Sequence, residues 1–125
     1  MFRPLRLLVV AASAMLATAC GLHRGGSTPP TAIVIFDNQS LEQADVFAVS
    51  SGGSPIRIGT VFAGHRQRLN VRGTALGTGG TVNIVARLLV SARAPRTGTV
   101  SLAPGDRLEV TLTPDGNYLA ALPLQ

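Results

Sequence analysis

The side chains in this chain that could do chemistry are few, and their spacing suits catalysis poorly. After position 30 the single histidine is His65, in Gly64-His65-Arg66. Nucleophilic catalysis needs a nucleophile, a base within hydrogen-bond reach and a group that orients the base. Ser101 and Asp106 are the partners a fold would have to bring to His65, whereas a histidine at a hairpin tip beside an arginine is ordinarily solvated. A hydrolase is therefore the most distant function class, and the chain reads as non-enzymatic. A blue-copper centre needs two histidines, a free cysteine and usually a methionine. Here His23 and Cys20 sit near the N-terminus, and Met1 and Met15 both precede Cys20. Asp37, Asn38 and Asp45 could offer oxygens to calcium, but their spacing is not that of an EF-hand loop. An Asx-turn accounts for Asp37 and Asn38 more simply. Gly73–Gly80 (GTALGTGG) looks like a phosphate-cradling loop, yet it lacks the lysine and a strand pattern follows it. The reading is a flexible connection, and no metal or cofactor is expected.

Arginine is the residue type with functional pull. The chain has eleven Lys+Arg positions, all of them arginine. Arg66, Arg68 and Arg72 alternate onto one face of a strand pattern, opposite Leu69 and Val71, and Arg57 lies outward on the preceding strand. If those two strands pair, a basic patch results that can grip phosphate or carboxylate bidentately. Lipopolysaccharide phosphates, acidic lipids or an acidic protein are the ligands such a face would take. The plain alternative is a solvated sheet face in a chain that uses arginine for every positive charge. A nucleic acid is not expected. There is no Trp, and Phe36, Phe47, Phe62 and Tyr118 are the aromatics after position 30, too few for a base-stacking platform.

The first thirty residues place these side chains in a compartment. Met1–Arg6 carries Arg3 and Arg6, and Leu7–Leu16 is an uninterrupted apolar run. Those are the two leading regions of a secretory signal. A membrane-spanning helix needs about 20 apolar residues, and this run meets Gly21-Leu-His-Arg24 too soon. The run ends Leu16-Ala-Thr-Ala-Cys20-Gly21, which resembles the lipobox of bacterial lipoproteins, with Ala17 where leucine is usual and Leu16 one place early. Ala17-Thr18-Ala19 also fits a plain signal-peptidase site, which would leave Cys20 as an unpaired thiol in an oxidising compartment. The resemblance covers residues 1–21. It implies a signal peptide over 1–19, a lipidated Cys20 as the new N-terminus, and anchoring by more than one buried acyl chain. Gly21 after the cysteine implies an outer-membrane address facing the periplasm. The membrane is then the first partner and an envelope protein the second, with the domain serving either protein interaction or structural support. Residues 20–30 read as a flexible tether (GLHRGGSTPP after the cysteine), reaching at most about 33–36 Å. Without the leader the chain keeps nine arginines against six acids, a net charge of +3.

From Thr31 to Gln125 the pattern alternates with period two and is broken every eight to twelve residues by Gly, Pro, Asn or Asp. Thr31–Asp37 is apolar on both faces, as a central strand covered on each side would be. Gly59 suggests a bulge in the strand near 55–62. Thr81–Ser91 reads as the longest strand, and Thr97–Leu102 and Arg107–Thr113 follow. Thr113-Pro-Asp-Gly116 should turn a final hairpin that sets Leu108, Val110 and Leu112 against Tyr118, Ala120 and Leu122. No proline falls inside these strands. Residues 59–71 and 98–110 share G-T-V and then R-L-x-V at the same offset, one strand–turn–strand unit used twice. The expected fold is all-β: a single antiparallel β-sandwich of seven or eight short strands over 31–125, behind a helical signal peptide. It resembles immunoglobulin-like or transthyretin-like sandwiches in strand count and turn spacing. The Cys…Trp…Cys core of true immunoglobulin domains is absent, so no family function follows.

Overall fold

A computed structural model describes residues 31–77 and 79–124. The expected leader, Cys20 and the tether lie outside the described residues. Eight strands run in the order β1 (Thr31–Asn38), β2 (Ala44–Ser50), β3 (Ile56–Val61), β4 (Arg66–Arg72), β5 (Thr81–Leu88), β6 (Arg96–Ser101), β7 (Arg107–Leu112) and β8 (Leu119–Leu124). A single helical turn, α1 (Gly73–Leu76), joins β4 to β5. The strands form two four-stranded sheets, β4-β1-β7-β8 and β3-β2-β5-β6. The fold is the expected β-sandwich with one difference: β1 and β7 pair in parallel, so one sheet is mixed.

Alternation explains the core. Ala32, Val34 and Phe36 of β1 face Leu69 and Val71 of β4 and Leu108 and Val110 of β7 through the inner register, and all are buried. Ala44, Val46 and Ala48 of β2 and Val82, Ile84, Ala86 and Leu88 of β5 supply the opposing layer. The outer residues of β1, Ile33 and Ile35, are half-buried rather than covered by another layer. Their cross-strand neighbours include Arg68, Arg107 and Glu109, whose long stems can shelter apolar surface. A bulge shifts the register between β2 and β3 opposite Ile58, one residue before Gly59. A Cβ at Gly59 would stand 2.5 Å from Leu69 Cδ2, so the glycine also lets β4 close over β3.

Five local expectations change. The final hairpin is out by one residue: Leu119, Ala121 and Pro123 oppose Leu112, Val110 and Leu108. The Pro114–Asp115 turn forms, with Gly116 N–H donating to Thr113 O at 2.8 Å and Gly116 at φ +73°. Asn117 then lengthens the loop, donating its N–H to Asp115 Oδ1 at 3.0 Å, and each added residue flips a strand's faces. Pro123 lies inside β8, which tolerates it as an edge strand. β5 stops at Leu88, three residues short of Ser91, because the backbone N–H groups of Val90 and Ser91 turn to the Glu42 carboxylate at 2.9 and 2.7 Å. The segment after β4 is not an open loop: Ala75 and Leu76 of α1 are buried. The two similar segments at 59–71 and 98–110 are β3–β4 and β6–β7. Each crosses from one sheet to the other rather than forming a hairpin. Val61 with Leu69 and Val71, and half-buried Val100 with Leu108 and Val110, pack in the core as expected.

Candidate functional site

The four arginines do not share one sheet face. β3 and β4 lie in different sheets, so the pairing that a continuous patch required does not form. Arg66, Arg68 and Arg72 fall on the outer face of the first sheet, opposite Asp37, Ile35 and Thr31 of β1. Arg57 lies opposite Phe47 on the outer face of the second. Arg57 is held by Asp45, its Nη2 2.9 Å from Oδ1, and by the Thr60 hydroxyl, which also donates to Asp45 Oδ1 at 2.8 Å. Arg87 approaches the other Asp45 oxygen at 3.6 Å and stacks over Phe47 at 5.6 Å. Arg66 meets Glu109 of β7 at 3.3 Å. No carboxylate among the described residues pairs with Arg68 or Arg72.

What does bring Arg57, Arg68 and Arg72 to one place is the sandwich edge. β3 and β4 are edge strands of their own sheets, and they face each other across a cleft of about 560 Å³. Ile56, Ile58 and Leu69 supply its apolar lining, and the three arginines, Gln67, Asn70 and Thr74 its polar part. Such a cleft can take a group that is negative at its outside and apolar within.

The other sequence candidates are kept apart by the strand directions. His65 sits where the end of β1 is met, since Asn38 N–H donates to His65 O at 2.9 Å. Asp106 lies near the start of β1, where Ile33 N–H donates to Asp106 O at 2.9 Å. Five residues of strand, roughly 16 Å, separate them, and Ser101 lies at the Asp106 end, opposite Thr81. His65 instead contacts Ala63 O through Nδ1 at 3.0 Å and lies edge-on to Phe62. Asp37 and Asp45 point from opposite outer faces and cannot share an ion. Asn38 is wholly buried: its amide donates to Glu42 O and Val61 O, and its oxygen accepts from Ser40 N–H and Oγ at 3.0 and 2.7 Å. That is the expected Asx-turn, carried into the core.

A second feature escaped sequence reading. Eight strands that alternate in direction put every odd-to-even connection at one end: residues 39–43, 62–65, 89–95 and 113–118. Thr31 lies at the opposite end. Three of the four loops, 39–43, 89–95 and 113–118, are tied to one another. Glu42 accepts from Val90 and Ser91 and faces Arg93 at 3.6 Å; Arg93 donates to Asp115 O at 3.0 Å and to the Asn117 side chain. On this braced end stand Leu41 (93% exposed), Val90 (84%), Tyr118 (68%), Phe62 (57%) and Leu89 (48%). Five of the seven exposed large hydrophobics among the described residues are thus gathered at one end. Single exposed apolar residues need no explanation, but a concentration on loops marks contact surface. The readable signal was apolar residues inside turn segments, where Gly, Asn or Asp would be cheaper.

No family model matches the chain, and no curated protein matches it. Among solved structures, the chain is similar to the NMR structure of a protein from Eubacterium rectale, at 13% identity and a TM-score of 0.48. The alignment covers 82% of this chain and 94% of that one.

Proposed function

We propose that the protein is an exported lipoprotein, held at the outer membrane by a lipid on Cys20, whose β-sandwich is a non-enzymatic module for binding another envelope protein. The observation that carries this reading is the polarity of the domain. The chain arrives from the expected tether at Thr31, while the loops with Leu41, Phe62, Leu89, Val90 and Tyr118 stand at the far end. A lipid-held domain built this way offers its apolar loops to a partner beyond the membrane surface. The test is membrane fractionation with palmitate labelling, combined with a photo-cross-linker at Val90. Cys20→Ser should abolish labelling and release the protein from membranes. The Val90 probe should give a discrete adduct that Leu41→Asp removes. A Cys20→Ser chain that stays membrane-bound, or a Val90 probe without an adduct, would overturn the reading.

A second reading has its own observation. Arg68 and Arg72 are without a carboxylate among the described residues and border the edge cleft with Arg57. The cleft suits an anionic ligand, such as a lipopolysaccharide phosphate or an acidic lipid. Binding there should fall steeply with salt, and binding unchanged by Arg57, Arg66, Arg68 and Arg72→Ser replacements would exclude it.

A further inference from the structure

Among the described residues four strands present an open edge, β3, β4, β6 and β8, and three of them are interrupted. β8 carries Pro123. β3 has the bulge at Ile58. β6 loses register between Asn83 and Val85, and Gly98 within it lies at φ +82°. Bulges and prolines are the usual means of blunting an edge. β4 has none of these: it pairs with β1 over seven consecutive residues, Arg66 to Arg72, without a shift.

The hydrogen-bond phase says which residues of β4 are free. Asn38 N–H donates to His65 O, while Ile33 N–H donates to Asp106 O, so even-numbered residues of β1 bond towards β4 and odd-numbered ones towards β7. In an antiparallel ladder the partners of the even set, Gln67, Leu69 and Val71, direct their backbone groups to β1. Arg66, Arg68, Asn70 and Arg72 therefore turn their N–H and C=O groups to the open edge. The same four residues place their side chains on the outer face. An unshifted edge of unpaired backbone groups is thus lined by three arginines and Asn70.

Charge selects what can add to such an edge. A second copy of β4 would set arginine against arginine, and like charges directly opposite are unfavourable across strands. A strand with carboxylates at every second position would set them opposite Arg66, Arg68 and Arg72. Its intervening side chains would turn inward, towards the cleft lined by Ile56, Ile58 and Leu69. We infer that the free edge of β4 takes an extended segment of a partner protein as a fifth strand, with acidic residues alternating with apolar ones. This rests on the reading of the domain as a protein-binding module and names the chemistry its edge would select.

The test titrates a fluorescent, end-capped heptapeptide of alternating Glu and Val with the full chain in a non-ionic detergent, followed by anisotropy. Saturable binding is expected, lost for the Lys/Val counterpart and weakened by about tenfold or more in an Arg68→Ser, Arg72→Ser variant. N-methylation of one alternating set of peptide amides should abolish binding and methylation of the other set should leave it, because an added strand uses one of its edges. No binding of the unmodified peptide overturns the inference. So does equal binding of both methylated peptides, or binding indifferent to the arginine changes. An arginine variant that self-associates, in a protein that ignores the peptide, would also overturn it and leave the arginines as guards against edge pairing. The peptide assay does not depend on anchoring, so its failure leaves the fractionation and cross-linking results standing.

Discussion

Glu42 holds more of the domain together than any feature of its local sequence suggests. Its carboxylate accepts the N–H groups of Val90 and Ser91, 48 and 49 residues away, and faces Arg93. Those bonds, led by the one from the Ser91 backbone, hold its pKa below the ordinary value of 4.5. Asp115, in the neighbouring loop, is lowered first by the Thr113 hydroxyl and then by the Asn117 N–H. A lowered pKa in the folded chain means that folding favours the ionised form. Their contribution is complete above the ordinary values and is lost as pH falls through the lower folded ones. In an acid titration followed by NMR, the Val90 and Ser91 amides should shift with a midpoint below 4.5, and their exchange should quicken there. Glu42→Gln should give the loosened loop already at neutral pH. Amides that titrate at 4.5 or above would mean that the carboxylate contacts are not made in solution. The arginines were legible as residues because alternation alone puts Arg66, Arg68 and Arg72 on one face. Glu42 was not, since its partners are brought near by chain folding rather than by spacing.

Elements separate what local pattern encodes from what packing decides. Strands β1, β3, β4, β6, β7 and β8 fall where alternation and turn residues place them to within a residue or two, and β5 is cut three short. The misjudged places have particular causes. In the last hairpin Asn117 adds one residue after the Thr113–Gly116 turn, and a period of two converts that into exchanged faces. At Gly73–Gly80 the glycines read as a flexible connection, yet Ala75 and Leu76 fold down onto the core, with the Gly77 backbone at φ +69° beside Ser50. Leu76 is 3% exposed and belongs to the core cluster. Leu76→Ala should therefore cost about 2–4 kcal/mol, as a buried truncation does. Urea unfolding checks this through a lowered midpoint at unchanged slope. A loop residue would cost almost nothing, so a shift within error would restore the flexible reading.

For the whole molecule, sheet order was not legible, because the parallel pairing of β1 with β7 joins segments about seventy residues apart with no local mark. Strand count and direction were legible, and they fix the ends of the domain. With eight strands alternating up and down, Thr31 and β8's end share one pole and the Leu41–Tyr118 loops the other. β1, of eight residues, spans roughly 26 Å. If Cys20 carries the proposed lipid, the ten residues after it would add at most about 33–36 Å between lipid and domain. The loops can then meet a partner that stands off the bilayer only if the tether is long enough. Deleting Gly25–Pro30 would remove about 20 Å of that reach and leave the cysteine and its leader intact. The shortened chain should still be palmitate-labelled and membrane-bound, while the adduct from a photo-cross-linker at Val90 should fade. Restoring the length with an unrelated Gly/Ser sequence should bring it back, since length rather than composition sets the reach. An adduct indifferent to tether length would place the partner within the reach of a domain lying against the membrane, and would remove the argument that the domain's polarity serves the interaction.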